Sequence, residues 1–316
     1  MINYVILTYI TTIINNIGKV ITTALAKIIG NISHDLLTGN LHKNWNGKIL
    51  LWYCIQRIHP LTKGWLIIDD TWLEKTLSKI FDPVSRQFSG KYKVPLPGMT
   101  VVLLMWTDGV FRMPLAIRIW YKGWKTKPEL ALELLSEIRN KLDWKPLYVT
   151  FDAFYATKGI LKRLDDYGWA YVSRIASNRH FEGAKVRKYK HQAYWTAVGK
   201  AWYGGKVKVI RRKDRFYICN RVSWSAETII NAYVGRVIIE ETIRILKQEL
   251  GFIGCQFTDD EAYSRHLYLC LIAFLVLEYT RITEFKDKTI YGIRQIVIFS
   301  DTLFYPPVFK RISKFA

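Results

Sequence analysis

Histidine and cysteine are scarce in this chain of 316 residues, and acids are outnumbered. The six histidines are scattered, and Cys54, Cys219, Cys255 and Cys270 show no C-x-x-C spacing. That argues against a zinc site and against a disulfide framework, and it leaves the thiols as reduced packing side chains. Long hydrophobic runs are missing too. The longest, LYLCLIAFLVL at 267–277, has eleven residues, too short to span a bilayer, and reads as a core helix. The N-terminal MINYVILTYITTII is apolar but lacks a cationic start and a small-residue cleavage site, so it makes a poor secretion signal. With no internal repeat or low-complexity tract, the expectation is a globular cytoplasmic protein with no membrane segment.

What is abundant is positive charge. Lys and Arg total 47 against 26 acids, a formal charge of +21, which implies a polyanionic partner such as nucleic acid or an anionic membrane surface. The excess is concentrated. Residues 174 to 215 hold thirteen Lys or Arg and two acids, Glu182 and Asp214, so this segment alone carries +11. Tyr189, Tyr194, Trp195, Trp202 and Tyr203 interleave with its cations, a mixture suited to holding phosphates and stacking bases. An ordinary hairpin with a basic solvated face and an aromatic packing face would show the same composition. Lys206, Lys208, Arg211, Arg212, Trp195 and Trp202 are the candidate DNA contacts here.

At 50% hydrophobic residues the chain has material for one or two cores. Residues 1 to 60 carry one acid, Asp35, and a mostly helical apolar spacing with breaks near Gly30, Gly39 and Gly47. From residue 64 the period changes to that of strands: WLIID, then MTVVLLMWTD and VFRMPLAIRIW joined by Asp108-Gly109 as a hairpin. A helix from Pro128, a strand ending YVTFD, a helix TKGILKRLDDYG and a strand WAYVSRIA follow, predicting a mixed α/β sheet. The basic segment reads as a β-rich insertion turning at Gly204-Gly205, before one long helix from about 225 to 250 and a second from about 261 to 283.

The first of those helices carries an unusual set. Tyr233, Arg236, Glu240 and Lys247 fall within a stripe about 60° wide on that helix, beside Ile239, Ile243, Leu246 and Leu250. Val234, Ile238 and Ile245 take the far side, predicting burial on more than one face. Such a polar stripe needs a polar partner, unless it is a solvated face with ordinary Arg236–Glu240 pairing. Two further acids sit at strand ends, Asp70 beside Asp69 and Asp152 before a helix. With Glu240 they would offer oxygen ligands to a divalent pair, although each aspartate also fits a turn or helix cap.

Tyr233, Arg236, Glu240 and Lys247 fit every spacing of Y-x2-R-x3-E-x6-K, followed by QELG. Together with IIDDT at 67–71 and VTFDAFY at 149–155, they make the chain resemble insertion-sequence DDE transposases with the Y-R-E-K signature. The resemblance implies an α/β fold with a ribonuclease-H-like mixed sheet and flanking helices, a basic β-rich insertion between the second Asp and the Glu, and a small helical N-terminal region. The implied segments are 1–60 (helical, DNA-binding or dimerising), 61–176 (first part of the core), 177–223 (insertion), 224–284 (core helices with the signature) and 285–316 (tail). The family motif favours Asp70 over Asp69 because an acid precedes threonine. It implies Asp70, Asp152 and Glu240 as catalytic ligands of two Mg²⁺ ions, with Mn²⁺ as a substitute. Tyr233, Arg236 and Lys247 are implied contacts to phosphate or end DNA. Where the family commonly has tryptophan after the signature arginine, this chain has Val237, so local packing is expected to differ. The implied partners are double-stranded DNA, both the inverted-repeat element ends and the target, and a second copy of the chain on DNA, in the nucleoid of a prokaryote. A nuclease of the same fold, and a decayed transposase or other protein that only binds, remain the alternative readings.

Overall fold

The computed structural model describes residues 4–16, 26–27, 33–75, 84–88, 93–255, 257, 259–298 and 306–313. The runs with strand periodicity form β1 (Trp65–Glu74), β2 (Ser85–Phe88), β3 (Pro95–Thr107) and β4 (Arg112–Trp120). Every residue of β3 from 98 to 107 is buried, as in a strand covered on both faces. β3 and β4 are antiparallel neighbours, and Asp108 closes their hairpin by accepting from the Val110 and Phe111 amides at 2.8 Å. α4 (Lys127–Arg139) starts on a capping box between Thr126 and Glu129. Then come β5 (Val149–Phe151), α5 (Lys158–Asp166) and β6 (Tyr171–Ile175). Ahead of α4 in the chain lie α1 (Tyr4–Asn15), α2 (His34–His42) and α3 (Gly47–Ile58).

Sheet order is β4-β3-β1-β5-β6-β11-β10-β9, with β2 pairing the start of β3. β1 runs antiparallel to β3 and parallel to β5, and β5 runs parallel to β6. This is the ribonuclease-H-like mixed sheet the resemblance implies. The basic segment prolongs it. β9 (Tyr194–Lys200), β10 (Lys206–Arg212) and β11 (Arg215–Cys219) join the sheet because β11 pairs with β6, from Phe216↔Ile175 to Cys219↔Val172. A buried chain of hydrogen bonds fastens it further: the Tyr171 and Tyr203 hydroxyls bond to each other, and Tyr203 donates to Asp165 at 2.9 Å. A short hairpin, β7 (His180–Phe181) with β8 (Ala184–Lys185), stands outside the sheet.

Two expectations about helices need correction. The single helix over 225–250 is two, α6 (Ala226–Val234) and α7 (Val237–Gln248). At Gly235 and Arg236 the bonding tightens to i→i+3, with the Arg236 amide on the Tyr233 carbonyl at 3.0 Å and the Ile239 amide on the Arg236 carbonyl at 3.1 Å. A side chain at Gly235 would press within 3.3 Å of the Ala232 carbonyl and 3.6 Å of Trp65, so glycine permits the helix to turn this close to the sheet. Nor is the far side buried throughout: Ile245 is buried and Ile238 half-buried, but Val234 is more than half exposed, as is the neighbouring Val237.

In the N-terminal region Gly39 lies inside α2 and interrupts nothing, while Gly47 opens α3, where any Cβ would strike the Tyr268 ring at 2.7 Å. Gly30 lies outside the described residues. The run LYLCLIAFLVL lies in α8 (Asp260–Thr283), long and apolar enough by length and composition to cross a bilayer. Here it is a core helix. α1, α2, α3, β4 and α9 (Ile290–Ile298) all pack on it, and their apolar side chains belong to one continuous core with the sheet. α10 (Phe309–Ser313) rests on α3.

Candidate active site

Strand alternation sends the neighbouring acids of β1 to different partners. Asp69 is buried; its Oδ1 accepts from the Asp70 amide at 3.0 Å and its Oδ2 meets Arg236 Nη2 at 2.6 Å. Burial pushes its carboxyl up to about 6, against the pull of the Arg236 charge. Asp70 lies partly open, and both its oxygens are engaged: Oδ1 accepts from the Tyr155 hydroxyl at 2.8 Å and Oδ2 meets Lys127 Nζ at 2.8 Å.

Asp152 follows β5 directly. Its Oδ1 accepts from the Phe154 amide at 2.9 Å and the Tyr155 amide at 3.4 Å, so it serves as the turn former that a strand-end aspartate can be. That turn delivers Tyr155 to Asp70. The fully buried Tyr155 has its phenol pushed far up by burial first and then by the charges of Asp70, Asp69 and Asp152. Tyr233, at the end of α6, packs edge-on against Tyr217 at 5.2 Å. Burial raises its phenol, the nearby Arg236 and Arg174 charges lower it, and Asp152 raises it again.

α7 is stitched to β1 along its length. Arg236 bridges Asp69 and Glu240, and its guanidinium is raised because these acids outweigh its burial. Lys247 Nζ donates to the Trp72 carbonyl at 2.7 Å; burial lowers its ammonium while the charge of Asp70 pulls the other way. Beyond it, the buried Lys75 at the end of β1 donates to the Cys255 carbonyl. Glu240 stands at the open edge, its side chain 54% exposed. The structure therefore brings Asp70, Asp152, Glu240, Tyr233, Arg236 and Lys247 into one neighbourhood and adds Asp69, Lys127, Tyr155 and Arg174, which the sequence did not single out. Of these, Asp69 and Tyr155 lay within motifs already recognised, IIDDT and VTFDAFY.

Among the described residues, no three Asp, Glu, His or Cys side chains stand close enough together to hold one ion. The donor set nonetheless suits a hard divalent cation, since Asp70, Asp152 and Glu240 offer only carboxylate oxygens. Arg236 and Lys127 hold the places where positive charge is needed. A cleft of about 470 Å³, lined in part by Trp45, Lys48, Arg118, Tyr121 and Arg265, opens elsewhere, between β4 and α8.

On β10 the side-chain period of two separates the cations. Lys206, Lys208 and Arg212 share one face and Arg211 takes the other, where it donates to the Gln192 carbonyl. Lys208 donates to the Trp224 carbonyl at 2.6 Å, whereas Lys206 and Arg212 are exposed. Trp195 stacks on Tyr189 with centroids 4.0 Å apart, and the Arg179 guanidinium lies 5.0 Å over the Trp202 ring. Among the described residues the aromatic side chains left open are Tyr4, Trp124, Phe154, Tyr194 and Tyr291, of which Phe154 lies beside Lys127.

Comparison with known proteins finds a family and a similar fold. The model of the transposase DDE domain matches residues 67–276. A solved structure similar to the chain in fold is the cryo-EM structure of piggyBac transposase in a synaptic complex with hairpin DNA. The two share 13% sequence identity and a TM-score of 0.61, over 99% of this chain and 73% of that one. No curated protein sequence matches the chain.

Proposed function

We infer the reaction from family and site together: the chain belongs to the DDE-domain transposase family, and its acids and cations are disposed for phosphoryl transfer on DNA. It cuts phosphodiester bonds at the ends of its own element with water and joins the freed 3′-hydroxyls to target DNA. Asp70, Asp152 and Glu240 would hold two Mg²⁺ ions, for which Mn²⁺ substitutes, and these would stabilise the attacking and leaving oxygens of an in-line displacement. The chain's own side chains bind and orient. Arg236, braced by buried Asp69, and Lys247, anchored on β1, set positive charge beside the acids for the scissile phosphate. Tyr233, held between Arg174 and Tyr217, supplies a hydroxyl at the same edge.

The observation that carries this reading is the linkage itself: the turn at Asp152 delivers Tyr155 to Asp70, and Arg236 joins Glu240 to Asp69 next to it on β1. Lys206 and Arg212, with Lys208 and Arg211 beside them, hold end DNA along its backbone. Trp195 and Trp202 support that surface as packed rings. Joining two ends to one target requires two active sites, so the working species is a dimer assembled on DNA, where the polyanion offsets repulsion between two chains of +21.

The test is strand transfer. Linear DNA ending in the inverted repeats that flank the gene is incubated with a supercoiled plasmid and Mg²⁺. The proposed reaction joins ends to plasmid; a nuclease of this fold would only cut, and a pure DNA-binding protein would do neither. Sizing the protein with and without end DNA tests the dimer, which a complex of one chain with two ends would rule out.

A further inference from the structure

Lys127 has no part in the reaction above, yet its ammonium occupies half of Asp70. The two partners of that carboxylate are held very differently. Tyr155, 2.8 Å from Oδ1, is fully buried in the turn after β5 and cannot leave without unpacking the core. Lys127, 2.8 Å from Oδ2, is the first residue of α4, with its side chain 24% exposed and the half-exposed Phe154 ring 4.9 Å from its ammonium. A cation in the first turn of a helix faces the positive end of the macrodipole and is disfavoured there. Nor does the helix start need it, because the Thr126–Glu129 capping box already satisfies that end. What Lys127 does satisfy is Asp70, in a site crowded with Asp69, Asp152 and Glu240, where Arg236 already serves Asp69 and Glu240.

We propose that Lys127 is a placeholder cation: in the metal-free enzyme it neutralises Asp70, it yields Oδ2 when a divalent ion binds there, and its freed ammonium passes to a phosphate of the DNA strand at the site. The proposal rests on Asp70 being a metal ligand. A divalent ion and an ammonium cannot share one carboxylate oxygen at close range, since like charges in a partly buried site repel strongly. The lysine stem is long enough to swing the charge outward past the half-exposed Phe154 ring.

The test is Mn²⁺ binding to the full DNA-free chain, read by calorimetry or by the spin resonance of free Mn²⁺. Lys127→Met keeps the stem and removes the charge, so it should bind Mn²⁺ at least about tenfold more tightly than the wild type. Lys127→Arg keeps the charge and should stay near wild type; Lys127→Gln repeats the measurement should the methionine variant unfold. The gain should vanish in the Lys127→Met, Asp70→Asn double variant. Equal Mn²⁺ affinity in wild type and Lys127→Met, or a gain that survives Asp70→Asn, overturns the placeholder. With Ca²⁺ present so that DNA is held uncut, Lys127→Met should also flatten the log–log salt dependence of end binding, by up to about 0.9 for one lost phosphate contact. Without divalent ion it should leave the slope alone. A slope unchanged in Ca²⁺ overturns the transfer to phosphate. The larger reading fails separately: Asp70→Asn and Glu240→Gln would then cleave DNA normally, whatever Lys127 does to Mn²⁺ affinity.

Discussion

Two charged regions share one sheet and treat their charges in opposite ways. Around β1, β5 and α7, the paired acids are matched by cations: Asp69 and Glu240 by Arg236, Asp70 by Lys127. In the extension formed by β9, β10 and β11, no cation between 174 and 215 has a carboxylate partner within ion-pair distance among the described residues. The cations there that are engaged, Lys208 and Arg211, spend their donors on carbonyls, which leaves the net charge standing. Internal pairing suits a site whose acids are to exchange one cation for another. Unpaired charge suits a surface whose partner is a polyanion of any sequence. The difference separates chemistry from grip.

Replacing acids breaks the comparison most severely. Asp70→Asn and Asp152→Asn each keep side-chain size while removing charge, so cleavage should fall by about a thousandfold or more in a single-turnover assay, with end binding retained. Asp69→Asn keeps the acceptor for the Asp70 amide and should cost no more than about tenfold, because its partner is Arg236 and not the reacting groups. The reverse ranking would move the ligand role to Asp69.

A second effect arises in neither region and shows that the fold has its own pH limit. His266 is fully buried between the Tyr9 hydroxyl at 2.9 Å and the Gly251 carbonyl at 3.0 Å, and burial lowers its imidazole to about 4. The folded value lies below the unfolded one, so stability is full above about pH 6.5 and is lost as the pH falls through 6 and 5 toward 4. The loss approaches about 3 kcal/mol. Urea titrations at pH 7.5 and 4.5 should show it, and His266→Gln should reduce the difference.

Within the basic extension the effect is smaller and divisible. Neutralising exposed Lys206 and Arg212 together should lower the salt slope of end binding by up to about 1.8, two phosphate contacts' worth, with cleavage of the bound complex little changed. Neutralising Lys208 and Arg211 should lower it less, because both already donate to backbone carbonyls. Equal slopes for the two pairs would dissolve the distinction. The smallest change concerns how the extension is fastened. Tyr203→Phe removes the hydroxyl shared by Tyr171 and Asp165 and should cost about 1 to 3 kcal/mol of stability, measured by thermal melting.

Much of this architecture was legible because it rests on local periodicity. The strands of β1 and the β3–β4 hairpin, the capped helix from Lys127 and the core helix α8 all carry their period within a single window of sequence. What was not legible depends on contacts distant along the chain. Lys127 meets Asp70 across 57 residues of sequence, and Arg236 meets Asp69 across 167. Tyr155 lay inside a recognised motif, but nothing local says that its hydroxyl reaches Asp70. The separation of Arg211 from Lys206, Lys208 and Arg212 follows from strand period alone. Val237, in place of the family's tryptophan, is 57% exposed, so the departure alters the surface beside Arg236 and not the core.

The claim that chemistry resides in the paired site and grip in the unpaired one is tested most directly on Glu240→Gln. Glu240 is half exposed, touches the core through Arg236 and keeps its size as glutamine, so the fold should survive the change. End-DNA affinity and Mg²⁺-dependent cleavage are measured on the same preparation. The account predicts wild-type or tighter binding, since a negative charge facing DNA is removed, and cleavage reduced by about a thousandfold or more. Normal cleavage in Mg²⁺ would contradict it and reduce the Tyr233–Arg236–Glu240–Lys247 set to a structural stripe.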